Sequence, residues 1–347
     1  MNKNNVIITF IIPVYNTNIE FLHRCIASIL QYKLNNIQII IIDDGSSYNV
    51  YKEIESISST NEHIEFYVQE NSGVSVARNQ GIRYAVGKYI MFIDPDDTLG
   101  TEIKEIEAYL SKNNFDIVLF DVYFSSAVGE KKLMELGNSS IKINKNELIK
   151  NTLFYKNIYN NYQAGAIWGK AFKRKFLEST HIKFNHLLRK AQDREFMLYV
   201  YSETDLIAYL KNKSYVYFQN VDSVCNKVSK SINNKSHMFL SEVSRYHTKY
   251  PQIIENWDTI YSKIEILLFF EILYLNIFHI NNKSKKKKRE VIEEYQICNI
   301  KNAVKIVKIS DFNSINEKVK YILIKYKLFF FLKILIHRGQ SKLHQRK

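Results

Sequence analysis

Three carboxylates within four positions, Asp94, Asp96 and Asp97, follow directly on the apolar run Tyr89-Ile90-Met91-Phe92-Ile93. Such a run reads as a buried strand, so three like charges are delivered to one loop. Crowded carboxylates repel. A hard divalent cation such as Mg2+ or Mn2+ relieves the repulsion and keeps coordination positions open for phosphate oxygens. The competing reading is an acidic turn that caps the next helix, because Asp is common at N-caps and in turns. A second acidic pair, Asp43-Asp44, ends the apolar run Ile37 to Ile42 in the same way.

The elements that would position these acids follow from the apolar pattern. Val6 to Ile12 reads as a strand meeting a turn at Pro13-Val14-Tyr15-Asn16, and Ile19 to Gln31 as an amphipathic helix. Ile37 to Ile42 is a second strand, Asn49 to Ser58 a helix, Ile64 to Val68 a third strand, Ser75 to Ala85 a helix, and Tyr89 to Ile93 a fourth strand. Alternation of this kind implies βαβ units and a mostly parallel sheet with right-handed crossovers. Ligands of such sheets bind at the carboxyl ends of the strands, where segments 13–16, 43–46 and 94–97 should converge on one cleft. Neither a GxGxxG nor a Walker sequence is present, which argues against a dinucleotide or P-loop site. Further along, Thr101 to Lys112 reads as a helix, Ile117 to Tyr123 as a strand, Lys173 to Leu177 and Ala191 to Ser202 as helices, and Tyr215 to Phe218 as a short strand. Residues 125–144 show no regular pattern, and from about Ser236 the chain reads as helical.

At 347 residues and 46% apolar content the chain is globular with room for one large domain or two. Cys25, Cys225 and Cys298 are odd in number and lack metal-ligand spacing, which fits a reducing compartment. His23, His181 and His186 show no ligand spacing either. Net charge is +14, and residues 281–347 carry 18 Lys plus Arg against 5 Asp plus Glu, so nearly all of the excess sits at the C-terminal end. The first apolar run is too short for a signal peptide, and a cytoplasmic chain is expected. Ile264 to Ile280 is interrupted by Glu265 and Glu271, and Val319 to Ile336 by Lys320, Lys325, Lys327 and Lys333. Neither is a clean span of about 20 apolar residues, so no transmembrane helix is expected. Aliphatic bulk mixed with lysine suits helices lying at the inner face of a membrane, with a helical subdomain packed on the core as the alternative. Nucleic acid is not expected as a partner.

The words Ile11-Ile12-Pro13-Val14-Tyr15-Asn16, Ile42-Asp43-Asp44-Gly45-Ser46, Asn71-Ser72-Gly73 with Ala77-Arg78-Asn79-Gln80-Gly81, and Phe92-Ile93-Asp94-Pro95-Asp96-Asp97 resemble, in order and spacing, family-2 glycosyltransferases of the GT-A fold. A weaker second stretch, from Trp168-Gly169-Lys170 through Ile182-Lys183-Phe184 to Gln192-Asp193-Arg194-Glu195-Phe196, is similar to the family's acceptor half. The usual word there is Glu-Asp, and this chain has Gln192-Asp193. The resemblance stops at about residue 225.

It implies an α/β chain with a Rossmann-like, mostly parallel sheet flanked by helices. Residues 1–225 would form the catalytic domain (1–100 the nucleotide-sugar half, 101–225 the acceptor half), and 226–347 a basic helical region. The reaction implied is inverting, metal-dependent transfer of a sugar from a nucleoside diphosphate, with a UDP-sugar the leading donor. The acceptor implied is a glycan hydroxyl, on a polyprenyl-diphosphate-linked chain in surface-polysaccharide synthesis. Asp94 and Asp96 resemble the Asp-x-Asp pair, with Asp96 the direct metal ligand and Asp97 a substitute. Asp44, with Asp43, would accept from the nucleobase or ribose; Pro13 and Tyr15 would line the base pocket; Arg78 would approach the nucleotide or brace Asp44. Asp193 would be the general base, Glu195 the next candidate, and Trp168 either a sugar platform or core. The rival classes are a nucleotidyltransferase, which lacks its basic Gly-rich loop here, and a non-catalytic nucleotide-sugar-binding protein.

Overall fold

The Ile- and Phe-rich run near the N-terminus becomes β1 (Ile8–Val14), which continues through Pro13 instead of stopping before it. Pro13 pairs in register with Ile42 of the neighbouring strand, while pairing on the other side of β1 ends at Ile11 and Phe92. The missing N–H of Pro13 therefore falls where the ladder has already stopped, the position at which a strand tolerates proline. The computed structural model describes residues 5–125, 131–136, 143–154, 162–218, 232–279, 281–312 and 314–345.

After β1 come α1 (Ile19–Leu30), β2 (Ile37–Asp43), α2 (Tyr48–Ser59), β3 (Ile64–Val68), α3 (Val74–Tyr84) and β4 (Tyr89–Phe92). β1 and β2 are buried along their whole length, as expected of strands covered on both faces. The chain continues through β5 (Thr98–Leu99), α4 (Ile103–Lys112), β6 (Ile117–Ser125), β7 (Lys131–Met134), α5 (Lys145–Phe154), β8 (Lys170–Lys173), α6 (Arg174–Thr180), α7 (Gln192–Ser202) and β9 (Ile207–Phe218). The strands form one sheet in the order β3-β2-β1-β4-β8-β6-β9-β5, with β7 added on β6. β3, β2, β1 and β4 run parallel, β8 is antiparallel to both β4 and β6, and β6 and β9 are parallel again. The mostly parallel α/β sheet expected from the sequence is present.

Contacts divide the chain into two compact units, Met1–Ser223 and Val224–Lys347. The second holds α8 (Ile232–Lys249), α9 (Trp257–Ile272) with a π turn at Leu273–Ile277, α10 (Lys287–Ile297), α11 (Ile300–Ile306), α12 (Ile315–Lys325) and α13 (Phe329–Gln345). Its own core includes Phe269, Leu273, Ile300, Ile324, Leu332 and Ile336. Among the described residues no helix is long and apolar enough to cross a membrane.

Candidate active site

The carboxyl ends of β1 and β2 are tied together by their own loops. Asn16, at a left-handed φ of 45°, donates its N–H to Ser46 Oγ at 2.9 Å, and its Oδ1 accepts from Ser47 N at 2.8 Å. Asp43 Oδ1 accepts from Ser46 N at 3.0 Å, closing the turn around Gly45. Gly45 has φ +75°, and a Cβ there would stand 2.9 Å from Asn71 N, so only glycine fits. Pro13 is buried and Tyr15 is 54% exposed beside this junction.

Asp44 is buried, and its carboxylate accepts from Gln69 Nε2 (2.6 Å), Ser72 N (2.7 Å) and Gly73 N (2.8 Å). It thereby holds the Asn71-Ser72-Gly73 loop at the start of α3. Arg78 does not brace Asp44, contrary to one sequence expectation; backbone N–H groups do that instead.

Arg78 spans two other acids. From α3 its Nη2 reaches Asp94 Oδ1 at 2.9 Å and its Nη1 reaches Asp193 Oδ1 at 2.7 Å. The guanidinium is 5% exposed, and each carboxylate 29%. Asp193 lies in the first turn of α7, so the loop after β4 and the start of α7 meet at one forked cation, the geometry for which arginine is suited. Burial pushes the Asp193 carboxyl above the usual aspartate range and Asp94 adds to this, while Arg78 works the other way. Nearby Lys170, on β8, is buried, its Nζ donating to the carbonyls of Gln163 (3.3 Å) and Trp168 (3.5 Å), and burial brings it down to about 7. Glu195, the alternative base, is buried within α7. Trp168 is 7% exposed and packs on Tyr215 (5.9 Å between centroids) and Tyr217 (5.3 Å), which makes it core.

The acidic loop separates its three carboxylates. Asp97 is fully buried, with Oδ2 accepting from Tyr215 OH at 2.6 Å and Oδ1 from Phe218 N at 2.8 Å. Asp97 thus anchors the loop to β9, and its complete burial, against the partial exposure of Asp94 and Asp96, sets it apart from the other two as a substitute metal ligand. Burial drives its pKa well up, and Asp94 contributes. Asp96 is part-exposed, and burial followed by Asp94 raises its pKa while Arg24 opposes. Arg24 donates from α1 to the Asp96 carbonyl at 2.6 Å and lies over the rings of Phe218 (4.1 Å) and Phe21 (5.0 Å). Asp94 and Asp96 are thus hard oxygen donors in a crowded, partly open loop whose charge is only partly offset, a set that fits Mg2+ or Mn2+.

Behind this site lies a cluster of rings. Phe92 of β4 meets Phe172, Phe184 and Phe196 edge-on, and Phe184 stacks on Phe196 at 4.0 Å. Asn79 fixes the Phe184 backbone from α3, donating to its carbonyl at 2.8 Å and accepting from its N–H at 2.9 Å. Sequence reasoning gave Asn79, Arg24 and Tyr215 no role. Asn79 stands inside a quoted word, whereas Arg24 and Tyr215 carry no local signal.

Residues 9–180 match the family model described as "Glycosyl transferase family 2". The chain is similar to the uncharacterized glycosyltransferase EpsJ of Bacillus subtilis, 27% identical over 219 residues that cover 63% of this chain and 62% of that protein. It is also similar to the poly(ribitol-phosphate) beta-N-acetylglucosaminyltransferase TarP of Staphylococcus aureus, 29% identical over 202 residues, 55% of this chain and 56% of that one. The chain therefore spans less than two thirds of either relative. Among solved structures, S. aureus TarS 1-349 superposes with a TM-score of 0.60 at 15% identity, covering 97% of this chain and 92% of that chain, a likeness of fold.

Proposed function

Residues 9–180 belong to glycosyl transferase family 2, and from that premise we propose that the chain transfers a sugar from a nucleoside-diphosphate sugar to an acceptor hydroxyl with inversion at the anomeric carbon. The observation that carries this reading is the Asp94, Arg78, Asp193 bridge, which places a donor-side acid and an acceptor-side acid on two arms of one guanidinium.

Asp193 is the base. Its Oδ1 is held by Arg78, which fixes the carboxylate plane and leaves Oδ2 for the acceptor's proton. As that proton arrives the acceptor oxygen attacks the anomeric carbon on the face opposite the diphosphate. Burial raises the basicity of Asp193, and Arg78 opposes that shift by favouring the charged carboxylate. Asp96, with Asp94, would hold Mg2+ or Mn2+, which supplies positive charge to the leaving diphosphate. Tyr15, exposed at the end of β1, lines the nucleobase pocket with Pro13. Asp43 and Asp44 shape that pocket through the loops they hold, and Asp44 Oδ2, which accepts from Gly73 N, keeps capacity for the ribose or base.

A UDP-sugar is the donor we propose, supported by the crystal structures of TarS 1-349 with UDP and with UDP-GlcNAc. The acceptor is a glycan, and TarP, a transferase named for poly(ribitol-phosphate), supports a role in surface-polysaccharide assembly. A lipid-linked acceptor at the inner face of the cell membrane, met through the basic C-terminal unit, completes the reading. The test is hydrolysis of a nucleotide-sugar panel with Mn2+ or Mg2+, alongside calorimetric titration with UDP. Turnover of one donor, lost in Asp193→Asn with UDP binding retained, is expected. A chain that neither binds UDP nor turns over any donor sinks the proposal.

A further inference from the structure

The turn between α12 and α13 exposes Tyr326 (65%), Leu328 (40%), Phe330 (70%) and Phe331 (56%). The fold does not require these rings outward, because Leu332 and Phe329 already make the contact between α13 and the core of the second unit. From Lys318 to Lys347 there are nine Lys and Arg and no Asp or Glu. A groove of about 740 Å3 is lined by Phe270, Tyr274, Leu323, Phe331, Ile334 and Leu335, with Lys320 and Arg338 also on its wall. Gly339 lines it too. Glycine inside a helix weakens the helix, yet no atom lies within 4 Å of where a Cβ of Gly339 would stand, so packing does not demand it. The glycine leaves this part of the groove wall without a side chain.

We propose that this corner docks on an anionic lipid bilayer, with Phe330 and Phe331 among the acyl chains and the groove receiving one chain of an anionic phospholipid whose phosphate meets Lys320 and Arg338. The inference rests on the membrane contact proposed above and assigns it to particular residues. A bilayer supplies apolar depth for the two exposed rings and negative charge for the basic residues of 318–347. A second copy of the chain would set nine like charges against nine. A soluble polyanion would neutralise the lysines and leave the two rings in water.

The test is flotation of the full chain with phosphatidylcholine vesicles, with and without phosphatidylglycerol, at low and high salt. Wild type is expected to float with phosphatidylglycerol vesicles and to be partly released by salt, as screening dictates. Phe330→Ser with Phe331→Ser leaves the charge unchanged and removes two exposed rings, so binding should fall by about tenfold or more per ring. Gly339→Trp, which fills the groove from a position with open space, should weaken binding as well. Nucleotide-sugar hydrolysis by these variants should equal that of wild type. If wild type floats and the double variant floats equally well, the membrane contact stands and this surface is not its site; if wild type does not float at all, both fall. A concentration-dependent dimer that the double variant renders monomeric assigns the surface to a second copy and overturns the proposal.

Discussion

Replacing Arg78 by Met would leave Asp94 and Asp193 facing each other without the cation that now bridges them at 2.9 and 2.7 Å. Removing one partner from a buried ion pair costs roughly 3–5 kcal/mol, and the 29% exposure of each carboxylate places this case at the low end, about 3 kcal/mol. At about 2–4 °C per kcal/mol for a domain of this size, the melting temperature should fall by roughly 6–12 °C at neutral pH. The loss should depend on pH in a stated direction. The folded-state pKa of Asp193 already lies above its ordinary value, and Arg78 is the largest influence holding it down. Without Arg78 it rises further, so the folded variant favours the protonated acid. Its penalty is then largest above the raised pKa and shrinks as pH falls toward the ordinary aspartate value. Melting curves of wild type and variant at pH 8 and pH 5.5, with EDTA to keep stray cations from replacing the guanidinium, measure this. Arg78→Lys, which keeps charge but not the fork, should fall between the two. A difference in melting temperature that is the same at both pH values refutes the argument, because the cost would then not be electrostatic.

Asp96→Asn should abolish nucleotide-sugar hydrolysis without lowering the melting temperature, since it removes one charge from a crowded loop; full activity in excess EDTA would remove Asp96 from a metal site. Asp193→Asn should lower turnover by about 10²- to 10⁴-fold with UDP affinity little changed, and near wild-type turnover would place the base elsewhere. Gly100→Ala puts a Cβ 2.0 Å from the Lys213 carbonyl, at the β5–β9 joint, and should destabilise by about 2–3 kcal/mol in denaturant titration. Lys170 sits at about 7 when folded against 10.5 as its ordinary value, so over that window the unfolded chain holds a proton that the folded chain does not. Stability should therefore rise with pH from about 7 to 10.5 in wild type and rise less in Lys170→Met, and parallel pH profiles of melting temperature would refute it.

The first hundred residues were legible because each strand there is an apolar run bounded by a turn word, and β2, β3 and α3 fall within a residue of where the pattern puts them. β8 was not legible: four residues, two of them lysine, become a strand only because β4 and β6 lie on either side. β9 reads as a strand only at its apolar end, Tyr215 to Phe218, since Lys211, Asn212, Lys213 and Ser214 break the pattern that its pairing with β6 sustains. The site divides in the same way. Spacing brought Asp94, Asp96 and Asp97 to one loop, but the separation of Asp97 from the other two depends on Tyr215 and Phe218, about 120 residues away. Arg78 was found by its word, but of its two expected roles the brace on Asp44 is not seen, because its partners Asp94 and Asp193 lie on segments whose approach is a tertiary fact.

Phe92 stands two residues before Asp94, Phe196 three residues after Asp193, and both rest on Phe172 and Phe184. The reach from Asp94 to Asp193 is thus a dimension set by stacked rings at the core, away from the loops that carry the polar groups. Exposed positions such as Tyr15 can then accumulate substitutions that change what the site admits, while that reach stays constant. Descendants of such a chain should diverge in what they join well before they diverge in how far apart the joining groups stand.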